Sequence, residues 1–151
     1  MSVFDPKTFG QMTFTETNST VSVPIPAEEW PFEIKKSDIL AWQSKDGSSA
    51  GLKCVLLLET TDAKVVEVTG REKNAVRYEI MLDLTPEGGL DFGKGMNVKL
   101  GKAREACGLN KPGQPFAFDM FIGHTVKAKI AHRAYEGNLQ AECKAILPLH
   151  G

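Results

Sequence analysis

Four side chains in the C-terminal part of the sequence have types and spacings that suit contact with a polyanion. They share the odd-numbered positions of one alternating run: Lys127, Lys129, Arg133 and Tyr135. In a β-strand, side chains of one parity project from the same face, so the cations and the phenol ring would lie together. Such a face binds phosphates through its cations and stacks a nucleic-acid base on its ring. The alternative is a solvated strand edge, on which lysines discourage aggregation.

A tryptophan and several further cations are candidates for the same kind of surface. Trp42 stands beside a polar turn and is the best single candidate for stacking on a base. Its alternative role is to close one end of the core, because tryptophan is usually well buried. The cations occupy the outer faces of the second and third predicted strands, the loop before the third strand and the first turn: Lys53, Arg77, Arg71, Lys73 and Lys45.

No set of residues in the sequence predicts catalysis or metal binding. Glu28 and Glu29 are adjacent and would point in different directions on an extended segment, which makes them a poor acid and base pair. His124 and His132 lie too far apart along one strand to hold one metal ion. The glycine-containing segments match neither a phosphate-binding loop nor a dinucleotide fingerprint, and no nucleophile with a matching base is recognisable. We therefore expect a protein that is not an enzyme and that needs no cofactor.

The charges are nearly balanced overall but unevenly distributed along the chain. The formal net charge is −1, which argues against coating of nucleic acid through bulk positive charge. Residues 1–91 carry 9 basic and 15 acidic side chains, whereas residues 92–151 carry 9 basic and 4 acidic ones. This asymmetry allows a basic face opposite an acidic one, with a merely solvated surface as the alternative.

Composition and cysteine usage indicate one globular domain in a reducing compartment. The 151 residues suffice for a single core, and 42% hydrophobic with 25% charged residues is ordinary for a soluble protein. Cys54, Cys107 and Cys143 are widely spaced and in apolar registers, so we expect buried thiols rather than disulfides or a zinc site. No apolar run is long enough to cross a bilayer, and residues 1–10 lack the features of a signal peptide. These features predict a cytoplasmic protein without membrane contact.

The first part of the chain differs in composition from the rest. Threonine and serine are interspersed there with few apolar residues, and Pro24 and Pro26 follow directly. This composition predicts a flexible N-terminal arm, residues 1–23, ahead of a single folded domain, residues 24–151.

Alternating apolar and polar residues predict five β-strands. The first alternation changes parity around Ser37 and Asp38, which indicates a β-bulge. A polar stretch that contains Val65, Val66 and Val68 follows the second strand and is interpreted as a partial extension of it. The predicted strands are residues 30–42, 52–59, 75–84, 125–135 and 139–147.

One helix is predicted between the third and fourth strands, over residues 97–107. Asn97 is a suitable N-cap and Gly108 a suitable C-terminal stop, and a short helical turn follows at residues 119–123. The closing hairpin turns at residues 136–138, with His132 and the odd-numbered residues of the fifth strand facing inward.

The predicted order of elements is strand, strand, strand, helix, strand, strand. This is the order of the OB fold, a barrel whose second and third strands bind oligonucleotides together with neighbouring loops. We therefore predict a mainly β protein, a five-stranded OB-fold barrel with one helix between strands three and four. A generic α+β sandwich stays open as an alternative, because the order of elements does not prove closure.

Two stretches of the sequence carry a family resemblance. The first, VPIPAEEWPFEIKKSDILAWQSKDGSSAGLKCVLLLE, has prolines, acidic residues and aromatics ahead of an alternating strand. The second has a helix ending in Ala-x-Gly, a short turn ending in glycine and a closing hairpin ending in proline: LGKAREACGL, then DMFIGHTVKAKIAHRAYEGNLQAECKAILP. Both resemble phage-encoded OB-fold single-stranded-DNA-binding proteins and a related phage family of uncharacterised function, over residues 24–148.

The resemblance implies a protein that binds and protects single-stranded DNA, largely without sequence preference, during phage-type replication or recombination in the host cytoplasm. Contacts with replication or recombination proteins and assembly into a homo-oligomer are left open by the sequence. The sequence ends in ILPLHG rather than in the acidic tail through which bacterial relatives recruit partners, and its aromatic content is 8%. The near-neutral charge and the few aromatics keep a second interpretation open: a protein-interaction or assembly module on an OB-like barrel without DNA binding.

Overall fold

The computed structural model describes residues 5–150. Over this range the protein is mainly β, with five strands and three short α-helices. The strands are β1 (Glu29–Gln43), β2 (Ala50–Thr60), β3 (Asn74–Met81), β4 (Thr125–Tyr135) and β5 (Asn138–Leu147). The helices are α1 (Pro6–Gly10), α2 (Ala63–Thr69) and α3 (Val98–Ala106), and one turn of 3-10 helix covers Phe118–Phe121.

The described strands form one antiparallel sheet in the order β3-β2-β1-β4-β5. The predicted mainly β class, and a helix between the third and fourth strands, are therefore confirmed. The predicted closure into a barrel is wrong, since within residues 5–150 no ladder joins β3 to β5, although both strands line one groove. Closure depends on how strongly the sheet twists and bends, which the order of elements does not determine.

The long first strand serves two neighbours. Its first residues pair with β4, the rest pair with β2, and the two pairings meet at Glu33. The register with β2 shifts at Lys35, where a bulge bends the strand. The sequence predicts this bulge two or three residues later, at Ser37 and Asp38, because the adjacent lysines both suit an outward position and hide the change of parity.

The core is a single cluster on one face of the sheet. On β3 the alternation is as predicted, with Val76, Tyr78 and Ile80 buried. The segment between β3 and β4 covers this face with Leu100 from α3 and Phe121 from the 3-10 turn. The largest fully buried side chains include Phe32, Phe121, Ile34, Leu56, Leu58 and Ile80.

The fifth strand departs from the predicted alternation. The pairing with β4 shifts between Lys129 and the next residue, which leaves Lys144 as an extra residue in β5. Beyond this bulge the parity reverses, so Ile146 is 4% exposed, whereas Leu139 at the start of the strand is 53% exposed. His132 on β4 is also exposed rather than inward, and its Nε2 lies 2.7 Å from the carbonyl oxygen of Ile25.

The stretch after β2 is a helix, so its interpretation as an extension of that strand is wrong. Asp62 caps α2, because its carboxylate accepts hydrogen bonds from the main-chain N–H groups of Lys64 and Val65. Gly70 ends the helix in the left-handed conformation, with φ at 75°. The two end signals outweigh the strand preference of the valines, of which Val65 packs into the core.

The predicted helix before β4 is confirmed as α3, one residue shorter at each end. Asn97 precedes it with φ at 52° and makes no capping hydrogen bond. Its side chain instead ties the helix to the end of β3. The amide oxygen accepts from the N–H of Asp83 at 2.8 Å, and the amide nitrogen donates to the carbonyls of Asp83 and Asp91 at 2.9 and 2.8 Å.

The described part of the predicted arm lies outside the core. Residues 5–23 are exposed throughout, and the chain first enters the core at Ile25. The guanidinium of Arg71 holds the junction by donating to the carbonyl of Val23 at 3.0 Å. No helix within residues 5–150 has the length and apolar character to span a membrane.

Deleting residues 1–21 should leave thermal unfolding cooperative and its midpoint within about 2 °C of the parent, because no buried side chain of the described range is removed. Differential scanning calorimetry measures this. Extending the deletion through Ile25 provides the control, since loss of this buried side chain removes about 1.5–3 kcal/mol and lowers the midpoint by at least about 3 °C. A non-cooperative transition in the shorter deletion would show that the arm belongs to the folded unit.

Candidate nucleic-acid interface

An open groove of about 640 Å³ lies between β3 and the β4–β5 hairpin. β3 and β5 are the two edge strands of the sheet, and residues of both line this groove. It is lined by Leu57, Ala75, Val76, Arg77, Glu79, Arg133, Gln140, Ala141 and Glu142.

Two of the predicted binding residues, Arg77 and Arg133, line this groove together. Arg77 is exposed because the even-numbered residues of β3 fill the core. Arg133 is exposed on β4, where it pairs with Gln140 of the closing hairpin. Arg77 and Arg133 are 56 positions apart in the sequence, and the fold places both guanidinium groups on the walls of one groove.

The carboxylates of the groove are each held by a lysine. Lys53 bonds Glu79 at 2.7 Å, and Lys144 bonds Glu142 at 2.9 Å. These hydrogen bonds lower the pKa of both carboxyl groups, with the charges of the lysines and nearby arginines adding to the effect. Within residues 5–150, Arg77 and Arg133 form no direct ion pair, although each acts on a groove carboxylate from a longer distance.

Lys99 also lies in this region, although it is not among the binding residues predicted from the sequence. Its ammonium donates to the main-chain carbonyl of Glu79 at 2.6 Å and lies 4.4 Å from the centre of the Tyr78 ring. Desolvation raises the pKa of Tyr78 to about 12, so the phenol stays neutral under the cation. The only sequence signal is that Lys99 lies on the polar side of α3, which says nothing about the strand beside it.

The four residues predicted to form one binding face on β4 lie in two different places. Lys127 and Lys129 share a parity with Arg133, but they lie where β4 pairs with β1 and do not line the groove. Lys129 stands opposite Glu29, and Lys127 is only partly exposed. Tyr135 is 52% exposed at the tip of the closing hairpin. Arg133 and Tyr135 thus belong to the groove end of the strand, whereas the two lysines lie toward its other end.

Trp42 is half buried and packs across the β1–β2 hairpin against Gly51. A Cβ at Gly51 would lie 2.9 Å from the indole Nε1, so only glycine allows this contact. The indole N–H is buried and has no hydrogen-bond partner among the described residues. The ring therefore packs over its own hairpin and not against the core cluster, and part of its surface stays exposed.

The remaining predicted cations occupy exposed loops. Lys45 lies in the β1–β2 turn, which Asp46 braces by accepting hydrogen bonds from Ser44 and Ser48; these bonds lower the pKa of Asp46 to about 2. Lys73 lies just before β3, and Arg71, in the same loop, is engaged with the junction to the arm.

The three cysteines are free thiols at buried or partly buried positions. Burial raises the pKa of Cys107 and of Cys143 to about 11 and also raises that of Cys54. All three therefore stay protonated near neutral pH, the form that is a poor nucleophile and metal ligand. The range 5–150 contains no group of three or more histidine, cysteine or acidic side chains that could hold a metal ion.

No protein-family model matches the chain, and no curated protein is significantly similar to it.

Proposed function

We propose that this protein binds single-stranded DNA in the groove between β3 and the β4–β5 hairpin, with little sequence preference. The main support is that Arg77 and Arg133 line the same groove and that neither forms a direct ion pair within residues 5–150. Phosphates spaced along a strand are the ligands that such a pair of cations suits.

The arrangement of elements supports the same proposal. The strand order β3-β2-β1-β4-β5, with α3 between β3 and β4, is that of an OB fold opened between β3 and β5. In OB folds the oligonucleotide lies across strands two and three and beside the loop that joins strands four and five. We take the groove between β3 and the β4–β5 hairpin as the counterpart of that site in this proposal.

The proposed mechanism is passive binding. Arg77 and Arg133 bind phosphates, Leu57 provides an apolar contact, and Tyr135 offers a ring at the hairpin tip. None of these contacts reads the hydrogen-bonding edges of the bases, so the binding tolerates any sequence. We further propose that the protein protects single strands during phage-type replication or recombination, in the host cytoplasm and beside the proteins of that process.

One observation favours a different function. Glu79 and Glu142 line the groove beside the arginines, so its charge is mixed, as in a surface that binds a protein. In that case the protein would be an interaction or assembly module on an OB-like fold. Only the first function predicts that the protein binds an oligonucleotide without any other protein present and that this binding weakens as the salt concentration rises.

A fluorescence titration with a labelled thymidine oligomer of about 15 nucleotides tests the proposal. We expect binding that is much tighter than for a duplex of the same length. Two phosphate contacts give a slope of about −1.4 in a plot of log affinity against log salt, so raising salt from about 50 to about 200 mM weakens binding about 7-fold. Equal affinity for duplex, or no binding at the lower salt, would exclude the proposal and favour the interaction module.

A further inference from the structure

A single aromatic ring stands out of the loop between β3 and α3. Phe92 is 79% exposed, the most of any large apolar side chain described. It lies in the segment DFGKG, between Asp91 and two glycines, and the second of these, Gly95, has φ at 80°. Folding alone gives no reason to expose this ring, because burying a phenylalanine contributes about 1.5–3 kcal/mol.

The loop that carries Phe92 is strongly braced. Asp91 donates its main-chain N–H to the carbonyl of Asp83 at 2.9 Å and accepts from the N–H of Gly93 at 2.8 Å. Asn97 adds its amide hydrogen bonds to both aspartates. The ring is therefore presented by an ordered turn, which lowers the entropy lost when a ligand is bound.

The ring has apolar neighbours and a shallow hollow beside it. Met96 and Val98 are also exposed, and with Phe92 they border a cavity of about 220 Å³ against α3. An exposed apolar cluster around a hollow marks a binding surface rather than ordinary surface. The cluster suits a flat apolar group such as a nucleobase.

The charges around the ring indicate which ligand it suits. From the Phe92 loop to the end of α3, residues 91–106 contain four basic side chains, Lys94, Lys99, Lys102 and Arg104, against two acidic ones, Asp91 and Glu105. One oxygen of the Asp91 carboxylate already accepts the N–H of Gly93. A ring carried by a segment with an excess of basic residues suits a base flanked by phosphates, and it suits a basic protein surface poorly.

The same segment adjoins the proposed groove. Lys99, in the first turn of α3, donates to the carbonyl of Glu79, and Glu79 lines the groove and bonds Lys53. The helix start that carries Lys99 follows the Phe92 loop directly and is tied to the end of β3 through Asn97. A single-stranded oligonucleotide that leaves the groove along β3 would therefore reach the Phe92 loop next.

We infer that Phe92 is an outer contact of the same single strand, where a base stacks on the ring while Lys94 and Lys99 bind the flanking phosphates. This inference rests on the proposed function and extends its site beyond the groove. It predicts a binding site with two parts, of which the outer one is reached only by longer oligonucleotides.

Two thymidine oligomers, of about 5 and about 15 nucleotides, separate the two parts. We expect Phe92→Ala to weaken binding of the long oligomer about 5- to 150-fold without changing the salt slope, since stacking releases no counterion, and to leave the short oligomer unaffected. Phe92→Trp should restore the affinity, and its indole fluorescence should be quenched by the long oligomer. Phe14→Ala, which removes an exposed ring from the arm, is the matched control and should bind like the parent.

The outcomes distinguish this inference from the proposed function. If the parent binds both oligomers and Phe92→Ala binds them equally well, the outer contact is wrong and the groove stands. If Phe92→Ala instead loses self-association in sedimentation experiments with its affinity unchanged, the ring binds a second copy of the chain and the inference is overturned. If the parent binds neither oligomer, the proposed function fails and this inference fails with it.

Discussion

Replacing Arg77 and Arg133 together by glutamate should weaken binding of a single-stranded oligonucleotide at least about 100-fold. Both guanidinium groups line the groove without a direct ion pair in the described range, so the change removes the two proposed phosphate contacts and puts negative charge in their place. Both side chains are exposed, and stability should therefore change by less than about 1 kcal/mol. The measurements are an oligonucleotide titration and a thermal unfolding curve.

The matched control is Lys127→Glu with Lys129→Glu, which changes the net charge by the same amount, at two positions of β4, the strand that also carries Arg133. These lysines lie beside β1 and outside the groove. We expect a loss of less than about 5-fold at moderate salt, because charges more than about 10 Å from the bound strand are screened. Equal losses in the two variants would mean that the overall field of the chain, and not the groove, governs binding.

Replacing Asn97 by alanine should lower the free energy of unfolding by about 2–4 kcal/mol. The variant loses three side-chain hydrogen bonds to Asp83 and Asp91, each contributing about 1 kcal/mol. It also forces alanine to adopt φ near 52°, a conformation that asparagine tolerates better. Chemical denaturation measures the loss, and the midpoint of thermal unfolding should fall by about 4–16 °C.

Asn97→Gly separates the two causes. Glycine loses the same side-chain hydrogen bonds but adopts the left-handed conformation without strain. This variant should therefore be about 1 kcal/mol more stable than Asn97→Ala. A full-stability Asn97→Ala protein would show that the link between β3 and α3 carries no weight in the fold.

The closing hairpin shows where sequence reasoning succeeds. The predicted fourth strand, residues 125–135, coincides with β4, and the turn forms with positive φ at Glu136 and Gly137. Period-two alternation and a turn glycine are both local signals, so neighbouring residues suffice to identify them. The same reasoning gives the positions of β1, β2, β3 and α3 to within a few residues.

Features that depend on contacts between distant residues cannot be predicted from local sequence patterns. The bulge at Lys144 is set by the register of β4 against β5, and nothing in the surrounding residues marks it. Helix α2 is a different case, because its signals were present: Asp62 at one end and Gly70 at the other. There the β-branched valines favoured the wrong assignment.

The candidate site divides in the same way. That Arg77 and Arg133 point outward follows from strand parity. That they meet across one groove depends on the approach of the two sheet edges, which no local pattern encodes. The pairing of Lys53 with Glu79 and the packing of Trp42 on Gly51 are likewise contacts between strands, visible only in the folded chain.

The open seam between β3 and β5 also determines what the main chain offers. If β3 and β5 were paired, they would lie about 4.8 Å apart and their peptide groups would hydrogen-bond to each other. In the open sheet the carbonyl of Glu79 points out of the edge of β3, where it accepts from Lys99. Because strand residues alternate, the peptide groups of Arg77 and Ala75 face the same way. These groups are neutral, so a molecule in the groove that bonds them gains affinity that persists at high ionic strength, beside the arginine contribution that salt weakens.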